Sequence, residues 1–449
     1  MLSTPDHKEK ALELLHGWKK ESYAFGIGSL PKVGDFAQLA GASTILVVTG
    51  WETEKWIDQF VHEVKSSLRK KGIVIRDVIP GARPNAPRED VYRIANQIGK
   101  MRPDSIIAVG GGSTIDAVKA ASVLATLGSD DVERYFGMGL VTERLDAEGK
   151  KLPPVIAVQT AASSGAHLTK YSNITAPLTG QKKLIVDQAV VPRWAVFDYK
   201  TTLGAPYAIT TDGALDGISH CLEVLYGATG KPFFAKAMEI AEAGISLIVE
   251  NLPKAIDNPR DEDARVGIGL GTDLGAYAIM VGGTNYGHLF SFSVVSKLTH
   301  GRACAIVNPY ATVFFAPTIR EQLKLVGKIL KDAGYIAKDI EGYQAKDLGR
   351  IVAQGMIRLL RRVNFPTTFN EVGVDDEDKE RILKAAKNPQ LWSKLEQAPV
   401  SLISRDKKGD IDIKQTEEDI DIYMGALVDA IRTGDFASIK NVPVEEVKT

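Results

Sequence analysis

Asp216 and His220 are four residues apart in a stretch dominated by small and apolar residues, and His288 and His300 follow them along the chain. Residues at this spacing share one face of a helix, so a helical segment would place the first carboxylate and imidazole side by side. One carboxylate and three imidazoles suit Fe(II), Zn(II), Co(II) or Mn(II), and suit Ca(II) and Mg(II) poorly. The chain has only seven histidines, and three of them lie here. The pattern predicts a metal site, although such a pair also occurs by chance and His300, which precedes a glycine, could be only a helix-end residue.

The glycine turn Gly110-Gly111-Gly112 is a second candidate site. It follows a buried-strand pattern at 105–109 and leads into a helical pattern that begins with Ser113. Strand, glycine turn and helix together aim backbone N–H groups at a phosphate, and three glycines let a diphosphate approach closely. The turn matches neither GxGxxG nor a Walker A loop, so an ordinary tight turn is the alternative. The hydroxyl-rich loop at 159–169 could line a ribose or nicotinamide, or be a polar surface turn.

Length and composition limit the classes of function. A chain of 449 residues predicts two domains, each able to bury a core. The 55 basic and 56 acidic residues argue against nucleic acid or an anionic membrane surface as the main partner. No apolar run is long enough to span a bilayer and no signal peptide opens the chain, which predicts a soluble cytoplasmic protein. The two cysteines, Cys221 and Cys304, form no CxxC motif and are predicted to be small buried residues.

The elements that must position these residues divide the chain in two. Strand patterns occur at 44–49, 73–79, 105–109, 155–158, 184–186 and 194–197, and helical patterns, the first starting at Thr4 and Pro5, at 4–18, 52–70 and 89–100. This alternation predicts a parallel sheet covered on both faces. After about residue 201 helical periodicity dominates, for example at 235–252, 322–333, 348–363 and 418–431. The sequence therefore predicts an α/β domain over 1–200 and an all-helical domain over 201–449.

Several motifs in the same order resemble those of one enzyme family, the iron-containing, group III alcohol dehydrogenases. The resemblance covers most of the chain, and the motifs that carry it are Gly110 to Ser113 with Asp116 and Lys119, the Thr160 to Thr169 loop, Lys182, Asp216 with His220 and Glu223, His288, and His300-Gly301 followed by Ala305 and Pro309.

The resemblance implies a dehydroquinate synthase-like fold with a Rossmann-like, mostly parallel dinucleotide-binding domain and an all-α domain. It implies that Asp216, His220, His288 and His300 bind Fe(II) or Zn(II) and act in catalysis through that metal. The residues implied to bind the cofactor are Gly50, Asn85, Gly110, Gly111, Gly112, Ser113, Asp116, Thr160, Ala161, Ser164, Thr169 and Lys182. The implied activity is that of an NAD(P)H alcohol dehydrogenase or aldehyde reductase acting on a small molecule. A homodimer or larger homo-oligomer is expected.

Three positions depart from the family pattern. Phe292 replaces a histidine that many members carry, and the spacing from His288 to His300 is two residues shorter than expected. His167 replaces a usual acidic residue, and we expect it at the surface rather than facing the pocket. Gly50 stands where NAD-using members tend to carry an aspartate that would repel a 2′-phosphate, which favours NADP(H) over NAD(H).

Two other functions are compatible with the same fold. One is a dehydroquinate synthase-like lyase that uses a metal and a dinucleotide for cyclisation. The other is a non-catalytic nucleotide-binding scaffold subunit. The Asp216-x3-His220 pair and the context of His300 fit the dehydrogenases better.

Overall fold

The computed structural model describes residues 6–51, 55–176 and 181–442. These residues form two compact units. One contains Leu12–Gly213 and Asn258–Gly269, and the other contains Ala214–Asp257 with the described residues of Met1–Ala11 and Leu270–Thr449. The predicted start of the first helix at Thr4 and Pro5, and the predicted start of another at Glu52, lie outside the described residues. The predicted division at residue 200 stays a prediction.

In the described part of the chain, nine strands form two sheets, all within Leu12–Gly213. They are β1 Tyr23–Phe25, β2 Thr44–Thr49, β3 Val74–Pro80, β4 Ser105–Gly110, β5 Gly137–Met138, β6 Val155–Gln159, β7 Tyr171–Ala176, β8 Gln181–Val186 and β9 Trp194–Phe197. The larger sheet is parallel throughout, in the order β1-β9-β6-β4-β2-β3. The smaller has the order β5-β8-β7, with β7 and β8 antiparallel. The predicted parallel sheet is confirmed, whereas β7 was not predicted.

The central strands of the larger sheet are buried on both faces. In β2, Leu46 and Val48 belong to one hydrophobic core, and Ile45 and Val47 belong to another. Successive side chains of a strand point to opposite faces, so a continuous β-branched run supplies both cores at once. The same parallel arrangement brings the carboxyl ends of β2, β4 and β6 to one edge of the sheet.

The described residues also form α-helices in both units. The first six are α1 His7–Lys19, α2 Lys32–Leu39, α3 Asp58–Lys70, α4 Arg88–Met101, α5 Gly112–Leu127 and α6 Leu140–Glu148. The others are α7 Tyr207–Gly227, α8 Phe234–Asp257, α9 Glu262–Val281, α10 Tyr286–Ser291, α11 His300–Phe315, α12 Arg320–Asp332, α13 Ala345–Arg362, α14 Asp376–Ala386, α15 Trp392–Glu396, α16 Ile413–Asp419 and α17 Gly425–Thr433.

The predicted fold class, a mostly parallel α/β part followed by a helical part, is confirmed. The helix predicted at 418–431 is instead a longer helical run that begins at α16 and contains a π-helical turn at Ile420–Met424 before α17. Within the described residues, no helix is both long enough and apolar enough to cross a membrane.

Candidate metal centre and dinucleotide site

The four predicted metal ligands converge on Asp216. Nε2 of His220 lies 3.9 Å from one Asp216 carboxylate oxygen, and the Nε2 atoms of His288 and His300 lie 3.9 Å and 3.8 Å from the other. Asp216 and His220 share α7, His288 lies on α10, and His300 is the first residue of α11. The side chain of His300 is 24% exposed and that of Asp216 only 4%, so the cluster is reached from solvent at His300. This set of oxygen and nitrogen donors fits a borderline divalent ion.

Glu223 holds His288 from the outer side of the cluster. Its Oε1 lies 2.8 Å from Nδ1 of His288, and its Oε2 accepts the backbone N–H groups of Asn285 at 2.6 Å and His288 at 3.4 Å. A hydrogen bond at Nδ1 leaves Nε2 available towards Asp216, as in metal sites where an outer carboxylate orients a ligating histidine. A Cβ atom at Gly287 would lie 2.5 Å from Glu223 Oε1, so this contact requires glycine there.

Ser291 performs the same function for His300. Its hydroxyl donates to the backbone carbonyl of His288 at 2.7 Å, and its oxygen lies 2.9 Å from Nδ1 of His300. Because the hydroxyl proton is already used, the oxygen accepts a proton from Nδ1–H, which leaves the lone pair on Nε2. Phe292 lies nearly parallel to the His300 ring, with an interplanar angle of 8° and centroids 6.3 Å apart. The residue that replaces the family histidine therefore packs against a predicted ligand.

Two further groups adjoin the cluster and were not predicted to belong to it. Cys304 Sγ lies within 4.8 Å of donor atoms of Asp216, His288 and His300. Lys394, on α15, is buried and bonds Thr284 Oγ1. Burial lowers the pKa of Lys394, and the nearby Glu223 and Cys304 oppose that shift. The position of Cys304 could have been inferred, since it lies one helical turn after His300, whereas nothing in the sequence connects Lys394 with this site.

Burial also determines the charge of His220. It lowers the pKa of His220 to about 4, with Glu223 opposing the shift and Lys394 adding to it. The imidazole is therefore neutral at neutral pH, which is the form that binds metal. Burial raises the pKa of the Glu223 carboxyl, and the Asn285 N–H and the Lys394 ammonium oppose that rise.

The predicted dinucleotide residues gather at the carboxyl edge of the larger sheet. Gly110 ends β4 and pairs in register with Gln159 at the end of β6. Gly111 is the N-cap of α5, and the Thr160 backbone N–H donates to the Gly110 carbonyl at 3.2 Å. The N-terminus of α5 therefore opens at the strand ends, which is where parallel α/β sheets bind phosphate groups.

Close packing explains the glycines of this turn. A Cβ atom at Gly112 would collide with Ser164 Oγ, whereas one at Gly111 would meet only Ala161 Cβ at an ordinary 3.8 Å. Ser113 Oγ accepts the Asn85 backbone N–H at 3.0 Å, and Asn85 has a positive φ of 67°. The structure thus brings Ala161, Ser164, Ser113 and Asn85 to the turn.

Asp116, Thr169 and Lys182, which were also predicted to bind the cofactor, are all buried. The Asp116 carboxylate accepts the backbone and side-chain N–H groups of Asn173, both at 3.0 Å, and lies 3.6 Å from Lys119 Nζ. Lys119 donates to the Thr169 carbonyl at 3.0 Å, and Lys182 is buried on β8. Their assignment to the cofactor stays a prediction, and the contacts described here attach β7 to α5.

Gly50 and Trp51 follow the end of β2 beside a small cavity. The cavity has a volume of about 210 Å³ and is lined by Thr49, Gly50, Trp51, Ile57, Asp58, Val78, Ile79 and Pro80. The guanidinium carbons of Arg83 and Arg93 lie 5.9 Å and 5.6 Å from the Trp51 ring centre. Both guanidinium groups also lie within 4 Å of an Asp90 carboxylate oxygen, and Asp58 is the acidic residue that lines the cavity.

The prediction that His167 lies at the surface is wrong. The residue is 1% exposed, its Nε2 lies 3.1 Å from the Tyr23 hydroxyl, and its ring packs edge-on against Phe197. The loop that carries it is largely buried, so it is not a polar surface turn either. These partners lie on β1 and β9, far from His167 in sequence, and local polarity could not reveal them.

Comparison with known proteins finds matches over most of the chain. The family described as "Iron-containing alcohol dehydrogenase" matches residues 20–199, and its C-terminal counterpart, "Fe-containing alcohol dehydrogenase family, C-terminal", matches residues 210–399. The NAD-dependent methanol dehydrogenase of Bacillus methanolicus is 26% identical over 369 residues, which are 80% of this chain and 90% of the relative. The 1,3-propanediol dehydrogenase of Citrobacter freundii is 25% identical over 79% of this chain and 87% of its own.

A solved structure shows the same fold. The alcohol dehydrogenase from Oenococcus oeni superimposes with a TM-score of 0.74 and is 25% identical. The match covers 89% of this chain and 98% of that protein. Both the α/β part and the helical part therefore have counterparts in a single known molecule.

Proposed function

The chain belongs to the iron-containing alcohol dehydrogenase family, and from that premise we propose that it interconverts a small alcohol and its aldehyde with a metal ion and a nicotinamide dinucleotide. The observation that carries the proposal is the convergence of three histidine Nε2 atoms on Asp216, each within 3.9 Å. The family match supports this function over the dehydroquinate synthase-like lyase and the non-catalytic scaffold.

Asp216, His220, His288 and His300 would hold the metal, Fe(II) being the ion for which the family is named and Zn(II) the alternative. A bound divalent ion supplies Lewis acidity, which stabilises negative charge on the alcohol oxygen. Glu223 and Ser291 orient two of the imidazoles so that their Nε2 atoms carry the lone pairs. Exposure of His300 gives the substrate a route to the cluster.

The glycine turn would bind the dinucleotide diphosphate through the backbone N–H groups at the start of α5. Oxidation of the alcohol transfers a hydride, with its electron pair, from the carbinol carbon to nicotinamide C4, and the hydroxyl proton leaves to solvent. Reduction of the aldehyde is the reverse. The residues nearest the turn, Gly111, Gly112 and Ser113, would do most to position the cofactor.

We further propose a preference for NADP(H). Gly50 supplies no carboxylate to bind a ribose 2′-hydroxyl, and the guanidinium groups of Arg83 and Arg93 lie near the adjoining Trp51. Arg83 is also paired with Asp90 at 2.9 Å, which would hold its guanidinium in place. An assay of kcat/KM with NADPH and with NADH tests this preference, and a higher value with NADH would contradict it.

The function itself is tested on protein purified anaerobically. Metal content is measured, and NADPH and NADH oxidation are followed with a panel of aldehydes, for the wild type, His300→Ala and His62→Ala. His62 is an exposed histidine of α3 and serves as the matched control. We expect about one equivalent of iron or zinc, with turnover that only His300→Ala abolishes. Tight dinucleotide binding without metal or turnover would overturn the proposal in favour of a binding role. Light scattering on the same samples tests the expected homo-oligomer.

A further inference from the structure

Cys304 adjoins the cluster of candidate metal ligands but is not one of the four ligands proposed above. Its Sγ, an oxygen of Asp216 and one ring nitrogen each of His288 and His300 all lie within 4.8 Å of one another. Two donors of a tetrahedral ion, each about 2.0–2.3 Å from it, are separated by roughly 3.3–3.8 Å. The most widely separated of these four donor atoms would therefore have to come about 1 Å closer to bind one ion.

The local structure directs the sulfur towards this point. Cys304 follows His300 by one turn of α11, so both side chains lie on the same helix face. The residue is fully buried, and the Lys394 ammonium is close enough for the two groups to interact electrostatically.

Cys221 provides a comparison, because its thiol is buried in packing and does not face the candidate ligands. Cys221 is adjacent to His220 in sequence and is equally buried. Its Sγ, however, packs towards α8, where a Cβ atom at Gly244 would lie 2.9 Å from it. The same helix therefore directs His220 into the cluster and Cys221 away from it.

We propose that Cys304 is a thiolate ligand, in addition to His220, of the divalent ion held by Asp216, His288 and His300. The inference rests on the metal centre of the proposed function. On binding, the thiol loses its proton to solvent and the sulfur forms a bond to the ion, so the two anionic ligands, Asp216 and Cys304, balance the ion's two positive charges. A thiolate is a soft ligand, and it shifts the preference of the centre towards Zn(II) compared with oxygen and nitrogen donors alone.

Absorption spectroscopy of the full chain loaded anaerobically with Co(II) tests this ligand directly. Thiolate bound to cobalt gives an intense sulfur-to-metal charge-transfer band in the near ultraviolet, which oxygen and nitrogen ligands do not give. We expect that band in the wild type and in Cys221→Ser, and its loss in Cys304→Ser. All three proteins should keep the visible cobalt bands and about one equivalent of metal.

The possible outcomes separate this inference from the proposed function. If the wild type shows visible cobalt bands without the near-ultraviolet band, Cys304 is not a ligand. The proposed metal centre would still be supported. Failure of the wild type to retain cobalt would overturn both. If Cys304→Ser does not fold, X-ray absorption of the zinc-loaded wild type shows independently whether sulfur is bound to the metal. A sulfur neighbour at about 2.3 Å is expected, and a shell of nitrogen and oxygen alone would refute the inference.

Discussion

The cluster of candidate metal ligands and the glycine turn are assembled in opposite ways. The turn is contiguous, because β4 ends at Gly110 and α5 begins at Gly112. The cluster draws its candidate donors from three helices, α7, α10 and α11, and they extend from Asp216 to His300 along the chain. A contiguous site depends on local backbone geometry, whereas a dispersed site depends on how whole helices pack. Substitutions should therefore damage the two sites through different physical routes.

The largest effect is expected from removing a donor of the cluster. Asp216→Asn replaces the carboxylate on which three imidazoles converge, and we expect metal affinity to fall by more than the roughly 10–100-fold typical of outer-shell losses. Chelator competition measures the affinity, and dinucleotide binding to the same variant serves as the control. Equal loss of both would show that the two sites are not independent.

Gly287→Ala tests whether the outer contacts of the cluster matter. The added methyl group would lie 2.5 Å from Glu223 Oε1 and displace the carboxylate that orients His288. Metal affinity should fall about 10–100-fold. Gly99→Ala is the matched control, since a Cβ atom there meets nothing within 4 Å and alanine favours helix by about 1 kcal/mol over glycine. Unchanged metal affinity in Gly287→Ala would refute the orienting role of Glu223.

Two neighbouring glycines separate packing from ligand binding at the turn. Gly112→Ala introduces a collision with Ser164 and should destabilise the protein by about 1–3 kcal/mol. Gly111→Ala meets no such obstacle, so its melting temperature should match that of the wild type. Its dinucleotide affinity should fall, because the methyl group would lie at the N-cap of α5, where the diphosphate is expected. Thermal melts with titration calorimetry measure both. Full affinity in Gly111→Ala would place the diphosphate elsewhere.

The smallest effect is expected at His167. Tyr23→Phe removes the hydroxyl that lies 3.1 Å from His167 Nε2 and should cost about 0.5–1.5 kcal/mol of stability. Metal and dinucleotide affinities should both remain unchanged, because both residues of this contact are buried. Urea denaturation measures the loss. A weakened dinucleotide affinity at full stability would instead show that His167 acts on the cofactor.

Features that depend on contiguous residues could be predicted from the sequence, whereas features that depend on the packing of distant residues could not, apart from those that the family resemblance implied. The bounds of β2 and the turn at Gly110 were predictable, because a β-branched run and three glycines act locally. The convergence of the four metal donors was predictable by residue type and family resemblance. The roles of Ser291, Lys394 and His167 were not, since each depends on partners that only tertiary packing supplies. The position of Cys304, one helical turn after His300, was visible in the sequence. That position is equally compatible with a small buried residue that binds nothing.

The brevity of α10 has a further consequence. A helix of six residues is far shorter than the roughly 12–15 residues that persist alone in water. Its order comes from the Asn285 cap, from Glu223 and from the packing of Tyr286 against Phe290 and Phe315. An ion at His288 would stabilise the same segment, so ordering of α10 and occupancy of the site form a single linked equilibrium. Amide hydrogen exchange across 285–291 would consequently report how completely a preparation is loaded.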